Sequence, residues 1–195
     1  MKNLILLLFI IFFQTSHLSA DSSNKVKRII IGNKDAKISI IAYESLTCSH
    51  CANFHIDVLP NLKKEYIDTG IAKIEFRHFP LDGAAFNASK IAQCKNDGNS
   101  DILNSLYLNQ SKWIKGKTID DVNENLKKFL VSEGIKVDFD KCTTDKNIED
   151  FVLNDRIEGV KKFKVNATPT IIINDKKFEK SLNYKNLKNS LEKLI

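Results

Sequence analysis

Thr47-Cys48-Ser49-His50-Cys51 is the stretch around which the sequence is organised, and it separates two patterns of different period. The segment before it, Ile38–Tyr43, is rich in β-branched and aromatic residues, which is typical of a buried strand. After it, apolar side chains recur every fourth residue and predict one face of a helix: Phe54, Val58, Leu62 and Tyr66. The two cysteines are therefore predicted to lie where a strand passes into a helix, with Cys48 at the helix N-terminus.

This position suits a reactive thiol. The first amides of a helix are unpaired and its macrodipole is positive there, so a negative charge is favoured. The thiolate is the nucleophile in disulfide exchange, and we therefore interpret Cys48 as the attacking thiol, with His50 adding a donor or a positive charge beside it. Cys51 is predicted to face inward and to resolve the mixed disulfide on Cys48.

Two other interpretations of the pair remain, a static disulfide and half of a zinc site. Zinc usually takes four ligands. His55 could supply a third, but Cys94 and Cys142 are solitary. No metal is therefore expected, and His55 is interpreted as an ordinary surface or packing residue.

Length and composition describe a folded chain. It has 195 residues, 43% of them hydrophobic, which suffices for a core in one domain with an insertion or in two small domains. The formal net charge is +6, but the lysines are spread along the chain with acidic residues between them. Because no arginine-rich run or basic helix with interleaved aromatics occurs, nucleic acid is not expected as a partner.

The N-terminus has the layout of a secretory signal peptide. A basic start, Met1-Lys2-Asn3, precedes the unbroken apolar run Leu4–Phe13, and Gln14–Ala20 is polar and small. We predict that residues 1–20 are a signal peptide cleaved after Ala20. The apolar run is shorter than the roughly twenty residues of a transmembrane helix, and a retained N-terminal anchor is the alternative.

All four cysteines follow this segment, and an even number in an exported chain permits disulfides. Adjacent spacing favours Cys48 with Cys51, one of three pairings, which leaves Cys94 with Cys142. A bond between these two would close a loop of about 49 residues, worth about 4 kcal/mol by loop entropy. We interpret it as a structural disulfide; two free buried thiols and a second redox pair are the alternatives.

The order of elements along the chain is predicted as β-β-α-β, a block of helices, and β-β-α. Val26–Ile31 predicts an edge strand, and Ile71–Phe79 alternates like a strand parallel to the one before the cysteines. Pro60 predicts a kink or break near Leu59 in the first helix. The isoleucines after Pro169 predict a buried strand, followed by a hairpin and a last helix capped by Ser181.

Three motifs of this sequence resemble those of the DsbA-like thiol:disulfide oxidoreductases of bacteria: Tyr43–Ala52, Phe76–Leu81 and Ala167–Thr170. Their order and spacing match over essentially the whole mature chain. The resemblance implies an α/β, thioredoxin-like domain in two halves, residues 21–82 and 164–195, with an all-helical insertion at 83–163. It implies a periplasmic enzyme, expected as a monomer, that uses no cofactor besides its own Cys48–Cys51 disulfide. The implied partners are unfolded or partly folded cysteine-containing exported proteins and a DsbB-like, quinone-linked membrane oxidase.

The resemblance also bears on the proline and on the active-site dipeptide. Taken alone, Thr168-Pro169 favours a trans proline that starts an edge strand; the family likeness implies a cis proline whose loop binds an extended substrate. Well-studied members of the family have proline where this chain has Ser49, and an acidic residue where it has Ala42. Glu44, two residues further on, is expected to point the same way by strand alternation.

The direction of electron flow depends on that dipeptide. Donation of the disulfide to newly translocated proteins is our first hypothesis. A reductase or isomerase of the same fold is the alternative, and a protein that binds metal through its thiols is the third.

Overall fold

Five strands form one mixed sheet within residues 25–195, the part of the chain that this computed structural model describes: β1 (Ile29–Gly32), β2 (Ile38–Glu44), β3 (Ala72–His78), β4 (Thr170–Ile173) and β5 (Lys176–Lys177). The strand order is β1-β3-β2-β4-β5. β2 and β3 are parallel, with Ile40 opposite Ile74, and the other neighbours are antiparallel. The parallel pair and the edge position of β1 confirm the predictions. The predicted signal peptide, residues 1–20, lies outside the described residues.

The helical segment after β2 changes its hydrogen-bond register. It consists of α1 (Ser49–Asn53), a π-helical turn, α2 (Leu59–Leu62) and a second π-helical turn that ends at Ile67. Leu59 donates its N–H to the Phe54 carbonyl, five residues back, directly before Pro60. Because proline has no N–H, it can begin an α-helical ladder but cannot continue one. The break predicted near Leu59 is therefore confirmed.

The chain between β3 and β4 is helical, which confirms the predicted α/β fold with an all-helical insertion. Its helices are α3 (Gly83–Gln93), α4 (Asp101–Leu108), α5 (Gln110–Trp113), α6 (Ile119–Ser132), α7 (Phe139–Thr144) and α8 (Lys146–Phe163). α6 begins with a capping box, in which the Thr118 hydroxyl accepts from the Asp121 N–H and the Asp121 carboxylate accepts from the Thr118 N–H. Among the described helices, none has the length and apolar character needed to cross a bilayer.

The central sheet is buried on both faces. The larger core includes Ile40 and Ala42 of β2 with apolar side chains of the helices that follow it. On the opposite face, Tyr43 packs with Phe79 and Phe163. A β-carbon added at Gly159 of α8 would lie 2.8 Å from the Tyr43 ring, so only glycine permits this close approach.

A buried carboxylate joins α8 to the sheet edge. The side chain of Asp155 is fully buried, forms an ion pair with Arg28 beside β1, and accepts the His78 N–H at 3.0 Å. Burial raises the pKa of Asp155 to about 6, although the neighbouring arginines oppose the rise. His78 is buried as well, and burial lowers its pKa to about 3.

The last helix, α9 (Tyr184–Leu191), begins later than predicted. Asn183, not Ser181, is the N-cap, and its side chain accepts the N–H of Asn186. The Ser181 carbonyl instead accepts from the Asn186 side chain. Leu187 and Leu191 of α9 lie one helical turn apart and are both buried.

Candidate active site

Cys48 and Cys51 are free thiols at the start of α1, directly after the loop that leads from β2. Cys48 is the N-cap of α1 and is half-buried, whereas Cys51, one turn along, is buried. The Cys48 thiol donates to the Thr168 carbonyl at 3.3 Å. The structure thus gives one thiol that is accessible and one that is enclosed.

The two thiols have opposite electrostatic environments. Hydrogen bonds from the Cys51 thiol and from the first-turn amides lower the pKa of Cys48 to about 5, against the effect of partial burial. Burial, and next the hydrogen bond to Cys48, raise the pKa of Cys51 far above its ordinary range. At neutral pH the dithiol therefore carries its negative charge on Cys48.

His50 contributes to this stabilisation through its backbone. Its N–H is one of the groups that lower the pKa of Cys48. The imidazole is exposed, as is Ser49, and within residues 25–195 it makes no side-chain hydrogen bond. The structure therefore brings the amide of His50 to the sulfur and leaves the ring in solvent.

Thr168 and Pro169 form the other wall of the site. The peptide bond between them is cis, and the Thr168 carbonyl faces the Cys48 sulfur. A cavity of about 670 Å³ opens between this loop and the helical segment after Cys51. Its lining combines apolar and polar side chains: His50, Asn53, Phe54, Asp57, Val58, Thr168, Pro169, Leu182, Asn183 and Tyr184.

A buried acid–base pair lies behind the dithiol. Glu44 and His55 are each 3% exposed, and their Oε2 and Nε2 atoms are 2.9 Å apart. The His55 ring stacks on Tyr107, with the ring centroids 4.0 Å apart. Burial raises the pKa of Glu44, and the charge of Glu44 in turn helps to raise the pKa of Cys51.

Sequence analysis treated His55 as an ordinary surface or packing residue and left the role of Glu44 open. The structure buries both and pairs them. One signal could have found His55: it follows Cys51 by four residues, so both lie on the same inward face of the helix.

The loop before Cys48 is bonded to the helical insertion at several points. Gln110 Nε2 donates to the Leu46 carbonyl at 2.8 Å and to the Cys48 carbonyl at 3.0 Å. The Thr47 hydroxyl donates to Asp82, the N-cap of α3, at 2.7 Å. Neither the local pattern of Gln110 nor its spacing in the sequence indicates these partners, which lie more than sixty residues away.

The other two cysteines form a disulfide inside the insertion. Cys94, at the C-terminal end of α3, is bonded to Cys142 in α7, with their Cα atoms 5.4 Å apart. Within residues 25–195 there is no group of three histidine, cysteine, aspartate or glutamate side chains that could hold a metal ion.

Comparison with known proteins gives evidence on the family of this chain that does not depend on the geometry of the site. A family profile described as "Thioredoxin" matches residues 24–193. The crystal structure of α-DsbA1 from Wolbachia pipientis is 31% identical, has a TM-score of 0.75, and aligns with 86% of this chain and 90% of that chain.

Relatives found by sequence comparison carry names that also refer to disulfide chemistry. A putative protein-disulfide oxidoreductase of Rickettsia bellii is 31% identical over 75% of this chain, which spans 56% of that protein's length. Disulfide bond formation protein D of Bacillus subtilis is 27% identical to this chain, and the alignment covers 84% of this chain and 75% of the Bacillus protein. The chain thus spans only about half the length of the rickettsial relative.

Proposed function

Because the chain belongs to the DsbA-like thiol:disulfide oxidoreductases of the thioredoxin family, we propose that it is an oxidase that donates its Cys48–Cys51 disulfide to cysteine-containing exported proteins. The observation that carries the proposal is the asymmetry of the dithiol. Cys48 is accessible, and its pKa is lowered to about 5, while burial raises the pKa of Cys51. A stabilised thiolate favours the reduced form, which makes the corresponding disulfide a strong oxidant.

The first step forms a mixed disulfide. A substrate thiolate attacks the Cys48 sulfur, the Cys48–Cys51 bond breaks, and the electron pair of that bond leaves on Cys51. Because burial raises the pKa of Cys51, its sulfur takes up a proton at once. Glu44, whose pKa is raised by burial, is a nearby acid that can supply it.

The second step releases the oxidised substrate. A second substrate thiolate attacks the first substrate sulfur, and Cys48 leaves as a thiolate. A low pKa makes Cys48 a good leaving group. The substrate has then lost two electrons, which the protein holds as the Cys48–Cys51 dithiol. In the reverse direction, Cys51 attacks the mixed disulfide, with Glu44 accepting its proton.

The substrate is proposed to be an extended segment of polypeptide beside Thr168 and Pro169. The backbone of this loop faces Cys48, and main-chain groups can pair with an added strand without regard to side chains. The adjoining cavity of about 670 Å³ leaves room for the residues that flank the substrate cysteine. A site of this kind can bind many different partly folded proteins, because it contacts mainly their backbone.

The cellular context follows from this chemistry. We propose that the protein acts in the periplasm, where disulfides persist. A DsbB-like, quinone-linked membrane oxidase would accept the two electrons and restore the disulfide.

The reduction potential of the Cys48–Cys51 pair tests the proposal. The purified protein is equilibrated across glutathione buffers, and each cysteine is scored by alkylation and peptide mass analysis, so that Cys94 and Cys142 are counted separately. A value near about −120 mV supports disulfide donation. A value near about −270 mV, as in thioredoxin, would contradict it and favour a reductase.

A further inference from the structure

The loop that carries the nucleophile has few hydrogen bonds of its own. It spans residues 45–48, between β2 and α1, and its one internal backbone bond joins the Cys48 N–H to the Ser45 carbonyl at 3.0 Å. The Leu46 carbonyl belongs to a fully buried residue. Among residues 25–195, Gln110 is the one group that donates to it.

Gln110 contacts this loop through its amide nitrogen. One amide can donate two hydrogens, and here it donates to the Leu46 carbonyl at 2.8 Å and to the Cys48 carbonyl at 3.0 Å. Both partners are carbonyl oxygens, so only the NH₂ end of the side chain can face them. A glutamate here could offer only acceptors.

The Cys48 carbonyl is also where the active-site helix begins. It accepts the N–H groups of Cys51 and Ala52 at 3.1 Å and 3.2 Å. Its position therefore sets the direction of the first-turn amides. The amide of Cys51 is among those that stabilise the Cys48 thiolate. Gln110 thus acts on the same peptide group that orients the donors around the sulfur.

Gln110 itself is firmly held. It is the first residue of α5, whose last residue, Trp113, is fully buried. The Trp113 indole donates to the Leu106 carbonyl at 2.9 Å. The glutamine is therefore attached to a rigid part of the insertion and can restrain the loop.

We propose that Gln110 is a positioning residue through which the helical insertion holds the Cys48 loop in its reactive geometry. The inference rests on the proposed thiol–disulfide exchange. Without the two donated hydrogens, the Leu46 carbonyl is buried without a partner. An unpaired buried carbonyl is costly enough to move a loop, and the first-turn amides then turn away from the sulfur.

Two substitutions separate this role from simple packing. Gln110→Met keeps the length and bulk of the side chain and removes both donors. Gln110→Glu places a carboxylate against two carbonyls and adds a negative charge near the thiolate. The matched control is Asn125→Leu, since the Asn125 amide donates at 2.8 Å to the Lys115 carbonyl, a group of the insertion and not of the loop.

The measurements are the pH dependence of Cys48 alkylation and the equilibrium constant with glutathione. In Gln110→Met we expect the thiolate fraction at pH 5 to fall at least threefold. We also expect the equilibrium to become about tenfold less oxidising, which corresponds to about 30 mV for this two-electron couple. Gln110→Glu should show larger changes in the same direction, and Asn125→Leu should match the parent protein.

Unchanged thiolate fraction and equilibrium constant in Gln110→Met would overturn the proposal, whatever the stability of the variant. If Gln110→Glu does not fold, Gln110→Met decides alone. This test is independent of the direction of electron flow. A parent potential near that of thioredoxin would contradict the oxidase function, but the changes in thiolate fraction and equilibrium constant caused by the Gln110 substitutions could still be measured.

Discussion

At the scale of single residues, the chemistry depends on a contrast between neighbours. Cys48 and Cys51 are one helical turn apart, yet one lies beside the N-terminal amides of α1 and the other in the core. Amide donors favour the charged sulfur, and burial disfavours it. A dithiol built in this way exchanges with its substrate through the Cys48 sulfur, which keeps the mixed disulfide on the accessible side.

Glu44 is the group best placed to handle the proton of Cys51, and Glu44→Gln tests this role. Glutamine keeps a polar contact with His55 but cannot accept a proton. We expect release of glutathione from a mixed disulfide on Cys48 to slow by roughly a hundredfold, the lower end of the range for general base catalysis. Rapid-quench kinetics on the isolated mixed disulfide would measure it.

The pH dependence gives the control for this experiment. Burial raises the pKa of Glu44, so its basic form appears only as the pH rises past its ordinary range. The release rate of the parent protein should therefore show a step at this titration, in addition to the rise with pH that the growing thiolate fraction of Cys51 gives in both proteins, and the step should be missing in Glu44→Gln. Equal rates and equal pH profiles in the two proteins would rule out the role.

At the scale of elements, the insertion is more than a spacer. α3 and α7 are joined by the Cys94–Cys142 bond, and α5 presents Gln110 to the active-site loop. α8 is tied to the sheet through the buried Asp155 carboxylate. The insertion is thus cross-linked internally, bonded to the sheet and bonded to the loop that carries Cys48.

Replacing both Cys94 and Cys142 by alanine tests the structural role of their bond. The disulfide closes a loop between residues that are 48 positions apart, so its loss should lower the free energy of unfolding by about 2–4 kcal/mol. Urea denaturation of the parent and the double variant, with Cys48 and Cys51 intact in both, would measure it. Equal midpoints and slopes would mean that the bond does not stabilise the fold.

At the scale of the whole molecule, the charge around the cavity differs from that of the chain. The formal net charge is +6, yet Asp57 is the one carboxylate among the described residues that line the cavity, and it forms no ion pair within residues 25–195. A substrate with a lysine near its cysteine would find a partner there. An exposed pair of this kind contributes about 0.2–1 kcal/mol.

Substitution of Asp57 by lysine should therefore reverse a modest preference. With peptides that differ only in a lysine or a glutamate near the cysteine, we expect the parent to oxidise the lysine peptide about two- to fivefold faster. Asp57→Lys should favour the glutamate peptide instead. Stopped-flow rates at low salt would measure both, and identical ratios in the two proteins would exclude Asp57 from substrate selection.

What the sequence determined by itself is local. The strand before Cys48, the helix after Cys51, the break before Pro60 and the capped start of α6 all follow from periodicity or from contacts within a few residues. Such patterns are visible in one dimension because their partners are near neighbours in the chain. The order of elements could be predicted for the same reason, and the resemblance of three motifs to a known family implied the thioredoxin-like fold.

Only the tertiary structure decided which distant side chains meet. His55 faces Glu44 across the strand–helix layer, and Gln110 reaches the Leu46 carbonyl from a helix far along the chain. Periodicity places a side chain on a face, but its partner depends on how the elements pack, and a buried polar group must find one there. The environment of the Cys48 sulfur is therefore a property of the folded chain as a whole.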